Sequence, residues 1–216
     1  MKIPYGILQE CEATTEELAR RFDVSYEYRH VRDYNKSKDL PYHNWYHTMC
    51  MVNRCLDGAN YHNLPYRSMR SLFVAALFHD YNHSGGEEED SINIFRAING
   101  LKNCGVTQGV YLHEVEEIIR VTEYPYVLEP VCIEHRIIRD ADLMQGFFIE
   151  TWEAMIIDGL REEMQVKLKA EITRSEMCLG QIEFLRKAVA HSKWGYSEFF
   201  EKENMSKLIT RIRTIM

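Results

Sequence analysis

The chain has 216 residues, 45% hydrophobic and 27% charged, which suits one globular domain whose core needs neither disulfide nor metal staples. A formal net charge of −7, with no block rich in Lys or Arg, argues against a general nucleic-acid-coating role. No window approaches 18 uninterrupted apolar residues and the N-terminus lacks the apolar stretch of a secretory signal, so a soluble cytoplasmic protein is expected. In chain order, the first informative stretch is residues 40–52, LPYHNWYHTMCMV. His43 and His47 stand four apart, and on a helix that spacing places both rings on one face. Met69, Leu72, Phe73, Ala76 and Leu77 then follow the i, i+3, i+4, i+7, i+8 pattern of an amphipathic helix. This helix runs into FVAALFHDYNHSGG, residues 73–86, which carries His79, Asp80 and His83. Gly85-Gly86 and the acidic run Glu87 to Asp90 read as a solvated loop ending in a helix N-cap. Val115, Ile118, Ile119 and Thr122 form a second stripe, and Ile133, Ile137, Ile138 and Ala141 a third. Phe148, Trp152, Met155 and Ile156 form a fourth. Pro41, Pro65, Pro125 and Pro130 fall between the stripes, where helix breakers belong. Sustained apolar/polar alternation is scarce, so the expected fold is all-α, a single compact helical domain over residues 1–216.

Six cysteines, at 11, 50, 55, 104, 132 and 178, show no CxxC pair and read as free buried thiols. Trp152 and Trp194 read as packing residues, and the KSK triplet at 36–38 as ordinary surface. An HD dipeptide alone carries little information, because helices often end in His or Asp. The conjunction is rarer: His47, then His79-Asp80, then Asp140 and Asp142 at the end of IIRDADLMQ, all near the ends of apolar helices. Imidazole and carboxylate in equal number, with no thiolate, suit Zn, Mn, Fe or Mg. A carboxylate can bridge two ions through its two oxygens, so Asp80 is the natural bridge if the site is dinuclear.

The H…HD…D pattern resembles the HD superfamily of metal-dependent phosphohydrolases. The segments YHNWYHT, HDYNHSG and ADLMQG look most like the YHNxxHA, HDxDHPG and ADLSNP segments of the 3′,5′-cyclic nucleotide phosphodiesterase catalytic domain. That resemblance makes His47, His79, Asp80 and Asp142 the metal ligands, with Asp140 the alternative to the last. It makes His43 the acid that protonates the leaving group, and His83 the histidine that orients metal-bound water. Tyr42 and Gln145, within the same segments, take substrate-binding positions. Gln181 and Phe184, in CLGQIEFL, have the QxxF spacing with which the family holds a purine: the amide reads the base edge and the ring stacks. The chain departs from the pattern at Ser84, where the family has Pro, and at Gln145, where it has Asn. The interval from Asp80 to Asp142 is also compressed.

The resemblance implies one or two divalent ions (Mg, Mn, Zn or Fe) and a small nucleotide substrate. A metal-activated hydroxide would open the phosphodiester of a cyclic purine nucleotide, with His43 as general acid. The alternatives are an HD-type nucleotidase or nucleoside triphosphohydrolase, a non-catalytic nucleotide-binding module, and an HD oxygenase. The last would recruit His113 or His135 as ligands, although these read as a helix-start residue and a surface residue. A protonated His43 needs a neighbouring carboxylate, for which Glu114, Glu116, Glu117 and Glu123 are candidates. Neither nucleic acid nor membrane is expected as a partner, and the sequence leaves the oligomeric state open.

Overall fold

A computed structural model describes residues 3–105, 110–198 and 200–216. Its hub is α4, Tyr66–Phe78, in which every residue from Ser71 to Phe78 is buried. A helix apolar on all sides must be covered on all sides. Against it pack α3 (Trp45–Tyr61), α6 (Val110–Arg120) and α7 (Ile133–Met144), with α2 (Ser25–Tyr34) and α5 (Asp90–Asn103) completing the shell. Helix α1 (Tyr5–Arg21) lies on α3. Beyond α7 come a π-helical segment, Glu153–Leu160, then α8 (Arg161–Leu168), α9 (Arg174–Lys187), α10 (Lys193–Glu198) and α11 (Lys202–Arg213). One contiguous apolar core runs through these helices, and no strand forms among the described residues. The protein is all-α.

The first three stripes form helices as their periodicity requires, with Leu72, Phe73, Ile119, Ile137 and Ile138 fully buried. The fourth behaves differently. Trp152, Met155 and Ile156 are buried, but the backbone from Glu153 to Leu160 is π-helical, and Phe148 lies ahead of it. Over two turns, spacing of three and four residues does not separate a π turn from an α turn. The predicted shared face of His43 and His47 is also corrected. Helix α3 starts at Trp45, capped by the Asn44 side chain, which accepts from His47 N–H at 3.1 Å. His43 therefore stands in the loop before the helix, while His47 sits in its first turn.

Two further features shape the site. Residues 62–65 join α3 to α4, and so short a connection makes the helices antiparallel neighbours, bringing the start of α3 to the end of α4. The stretch between α6 and α7 is held by the buried Arg139 of α7. Its guanidinium donates to Val121 O (2.7 Å) and to Leu128 O, and lies 4.0 Å from the centroid of the Tyr126 ring. His135, expected on the surface, is buried in the first turn of α7 because the third stripe turns that helix face inward. His113 is exposed on α6. The cysteines are free, with four buried and Cys11 and Cys132 half-buried.

Candidate functional site

The antiparallel pairing puts His47, from the first turn of α3, beside His79, which ends α4, and Asp80, which follows it. Asp142 joins them from the last turn of α7. The two Nε2 atoms of His47 and His79 lie 3.3 Å apart. Asp80 Oδ2 is 2.9 Å from His79 Nε2 and 3.3 Å from His47 Nε2, and Asp142 Oδ1 is 3.3 Å from His47 Nε2. Two ligands each about 2.1 Å from one divalent ion, at right angles, stand about 3.0 Å apart, so these separations match neighbouring positions around a shared cation.

Three observations favour a cation there. His79 Nδ1 lies 2.8 Å from Ala76 O; a carbonyl only accepts, so the ring proton is on Nδ1 and the Nε2 lone pair faces the cluster. Asp80 Oδ2 is buried yet makes no hydrogen bond of good geometry, despite two ring nitrogens within 3.3 Å. Burial disfavours the His47 imidazolium, but Asp142 and Asp80 outweigh it and lift the ring to about 10. Burial likewise pushes the Asp80 carboxyl up, and its neighbours His79, His43 and His47 together hold it well below the carboxylate range. The pocket attracts positive charge, and its donor set of two imidazoles and two carboxylates suits a borderline or hard divalent ion. The residues fit a metal.

Asp140 does not belong to this set. Its Oδ1 accepts from His191 N–H (2.6 Å) and its Oδ2 from Ser192 N–H (2.7 Å), so it anchors the chain leading into α10. Burial raises its carboxyl to about 6, against the pull of those two amides. His135 does not join either: it precedes Asp142 by two helical turns, about 10 Å along the axis.

A second group, His43, His83 and Glu163, also lies close enough to hold an ion, but its polar atoms are already partnered. The rings of His43 and His83 stack at 3.7 Å, and each has its own carboxylate. His43 Nδ1 is 2.5 Å from Glu163 Oε2. His83 Nδ1 accepts from Gly85 N–H (3.0 Å), while its Nε2 lies 2.9 Å from Asn93 Nδ2 and 3.7 Å from Asp90 Oδ1. Asp90 thus has a structural task and is not part of a solvated loop; its Oδ2 also accepts from Tyr124 N–H at 2.6 Å. Glu163 replaces the four glutamates considered as partners for His43. Its Oε1 accepts from the backbone N–H of both Tyr42 (2.7 Å) and His43 (3.0 Å). Burial lowers the His43 pKa, but the Asp80 charge and the Glu163 hydrogen bond together raise it above the ordinary value. Burial raises Glu163, and His43 with the two amides brings it below its ordinary value.

Both groups border one cleft of about 540 Å³, which Tyr42, His43, His83, Asp142, Gln181 and Phe184 all line. Leu143, Ile156, Leu160, Met164 and Met177 give it an apolar wall. The buried Tyr42 hydroxyl stays protonated, because burial and then the Asp142 and Asp80 charges push its pKa well up. Gln181 is nearly buried and donates from Nε2 to Gly146 O at 3.2 Å. Gln145 does not reach the cleft: it starts a 3₁₀ turn after α7, is 1% exposed, and leans toward Thr151 Oγ1 at 3.4 Å. A smaller cavity of about 70 Å³ adjoins the cluster, lined by His79, Asp80, Asp142, Asp90 and Thr122 among others. Glu163 and Asp90 are the residues that sequence spacing missed. Glu163 is 120 positions from His43 and belongs to no motif; Asp90 lies seven past His83 in a run of acidic neighbours. No family model matches the chain, and no curated protein matches it in sequence.

Proposed function

We propose that the protein is a metal-dependent phosphohydrolase that opens the phosphodiester of a nucleotide, a cyclic purine nucleotide first. One observation carries this reading: a four-residue His/Asp cluster adjoins a carboxylate-paired histidine, with Asp142 of the first and His43 of the second lining one cleft. The motif resemblance to HD phosphohydrolases, and to the cyclic nucleotide phosphodiesterase catalytic domain, supports it.

His47, His79, Asp80 and Asp142 would hold the ion. With an ion held there, the site would supply polarisation of a phosphoryl oxygen and activation of water at neutral pH. The chain's own residues do the rest. His43 is held by Glu163 through Nδ1, so Nε2 carries the mobile proton and delivers it to the departing sugar oxygen. Glu163 keeps the imidazolium populated and fixes the ring through the two amides that its Oε1 binds. The stacked His83 stops the His43 ring from tipping out of the cleft. The apolar wall excludes water from the base, Phe184 offers a face to stack on, and Gln181 offers polar atoms to its edge.

The cleft also favours a singly charged diester over a triphosphate. Among the described residues that line it, Lys167 is the one lysine or arginine, set against Glu88, Asp90, Asp142 and Glu163. A triphosphate needs more positive charge than that. The test is a metal analysis of the purified protein followed by a hydrolysis screen over cyclic and linear nucleotides with Mn, Mg and Zn. Metal-dependent release of a nucleoside monophosphate from a cyclic nucleotide is the expected result; release only from a triphosphate, or no hydrolysis with any metal, overturns the reading.

A further inference from the structure

We infer that the π-helical segment, through Gly159, is the device that positions the general acid; this rests on the role proposed above for His43. Tyr42 and His43 lie outside any helix, and their backbone N–H groups both end on Glu163 Oε1. What places Glu163 under them is the turn just before it. A Cβ built on Gly159 would stand 2.3 Å from Pro41 O and 2.9 Å from Pro41 C, distances that real Cβ atoms essentially never show. Glycine is therefore required for the π turn to dock on the backbone of Pro41. From that contact the chain rises four residues, one turn, to Glu163, which clasps the next two residues of the same loop. Asn44, the cap of α3, also donates to Pro41 O at 3.2 Å. The carbonyl of Pro41 thus ties the π turn to the start of the helix that carries His47.

A second close approach holds Glu163 from the other side. Gly86, at φ +92°, would place a Cβ 2.4 Å from Glu163 O. The loop that carries His83 is thereby seated on α8, under the stack of the two histidines. Gly159 is a positioning residue: it does not line the cleft, and it sets where the His43–Glu163 pair stands, while Gly86, at the cleft, seats the His83 loop on Glu163. The wider i→i+5 turn gives the segment an extra residue per turn. In this segment Ile156 and Leu160 line the cleft while Gly159 meets Pro41.

The experiment compares Gly159→Ala with His43→Ala on two substrates, a nucleotide with a sugar alkoxide leaving group and a nitrophenyl phosphodiester that needs no proton. Metal content is measured on both variants. General acids contribute about 10²–10⁴-fold, and a displacement of about 1 Å costs about 10²-fold. Gly159→Ala is expected to keep its metal, lose about 10²-fold in kcat on the nucleotide, and remain within a few-fold on the nitrophenyl diester, as a weaker copy of His43→Ala. If His43→Ala shows that selectivity and Gly159→Ala slows both substrates equally or neither, the positioning role fails and the proposed function stands. If His43→Ala shows no selectivity, the proposed function fails and takes the inference with it. Should Gly159→Ala not fold, hydrogen exchange on the wild type decides. The Tyr42 and His43 amides are expected to exchange in the same opening as residues 159–163; exchange at a free-loop rate while that segment stays protected overturns the inference.

Discussion

Two groups of histidine and carboxylate adjoin one cleft, the first through Asp142 and the second through His43, His83 and Glu163, and they differ in where their lone pairs go. In the His47, His79, Asp80 and Asp142 group the side chains come from helix ends, and four ligand-type atoms converge in contacts of 2.9–3.3 Å, with Asp80 Oδ2 left without a hydrogen bond. In the His43, His83 and Glu163 group the two rings come from loops, and the ring nitrogens facing Glu163 and Gly85 are engaged at 2.5 and 3.0 Å. The first group gathers buried carboxylates around its imidazoles and draws positive charge to itself; the second pairs its imidazole with a carboxylate already hydrogen-bonded to it. Under the proposed function, identical residue types would divide into ligands and acid through their neighbours.

The sharpest way to break that contrast is Asp80→Ala. It removes the carboxylate nearest both Nε2 atoms, so bound metal should fall to background and turnover below detection, while Glu163→Gln should keep full metal. Metal retained in Asp80→Ala would merge the two groups into one.

Glu163→Gln should itself cost about 10²-fold in kcat on an alkoxide leaving group. The sign with pH follows from His43: its pKa is raised above 6.5 in the fold, so the imidazolium persists past that value and is lost as pH climbs through the raised one. The alkaline limb of kcat should therefore lie above 6.5 in the wild type and move to lower pH in Glu163→Gln. An alkaline limb that stays put in the variant would remove Glu163 from the acid's control.

A smaller effect separates neighbours on one helix. Asp140→Asn turns an amide NH2 toward a backbone N–H of His191 or Ser192, which should lower stability by about 1–3 kcal/mol with metal content untouched. Thermal unfolding and elemental analysis together check it; lost metal would return Asp140 to the ligand set. Smallest is Gln181→Ala, expected to raise KM for purine substrates about tenfold with kcat nearly unchanged, because a contact far from phosphorus contributes mainly uniform binding. A variant with unaltered KM would place Gln181 in the core alone.

Much of this was legible in the sequence, for physical reasons that differ by element. The stripes through Leu72, Ile119 and Ile138 announce helices because burial imposes one period on them. His47, His79, Asp80 and Asp142 are legible because each lies where an apolar stripe starts or stops. The placement of His43 off the helix was also encoded, in Asn44: an amide ahead of an apolar run is a helix cap, and it puts His43 outside. Glu163 was not legible, since its pairing with His43 depends on how far α8 folds back across the molecule. The π turn was not either, because it buries Trp152, Met155 and Ile156 at spacings an α-helix shares.

The most direct test of the division between ligands and acid is elemental analysis of the wild type, His47→Ala and His43→Ala, purified side by side. The account predicts that His47→Ala loses its metal while His43→Ala holds as much as the wild type. Loss of metal from His43→Ala, or a full complement in His47→Ala, would contradict it.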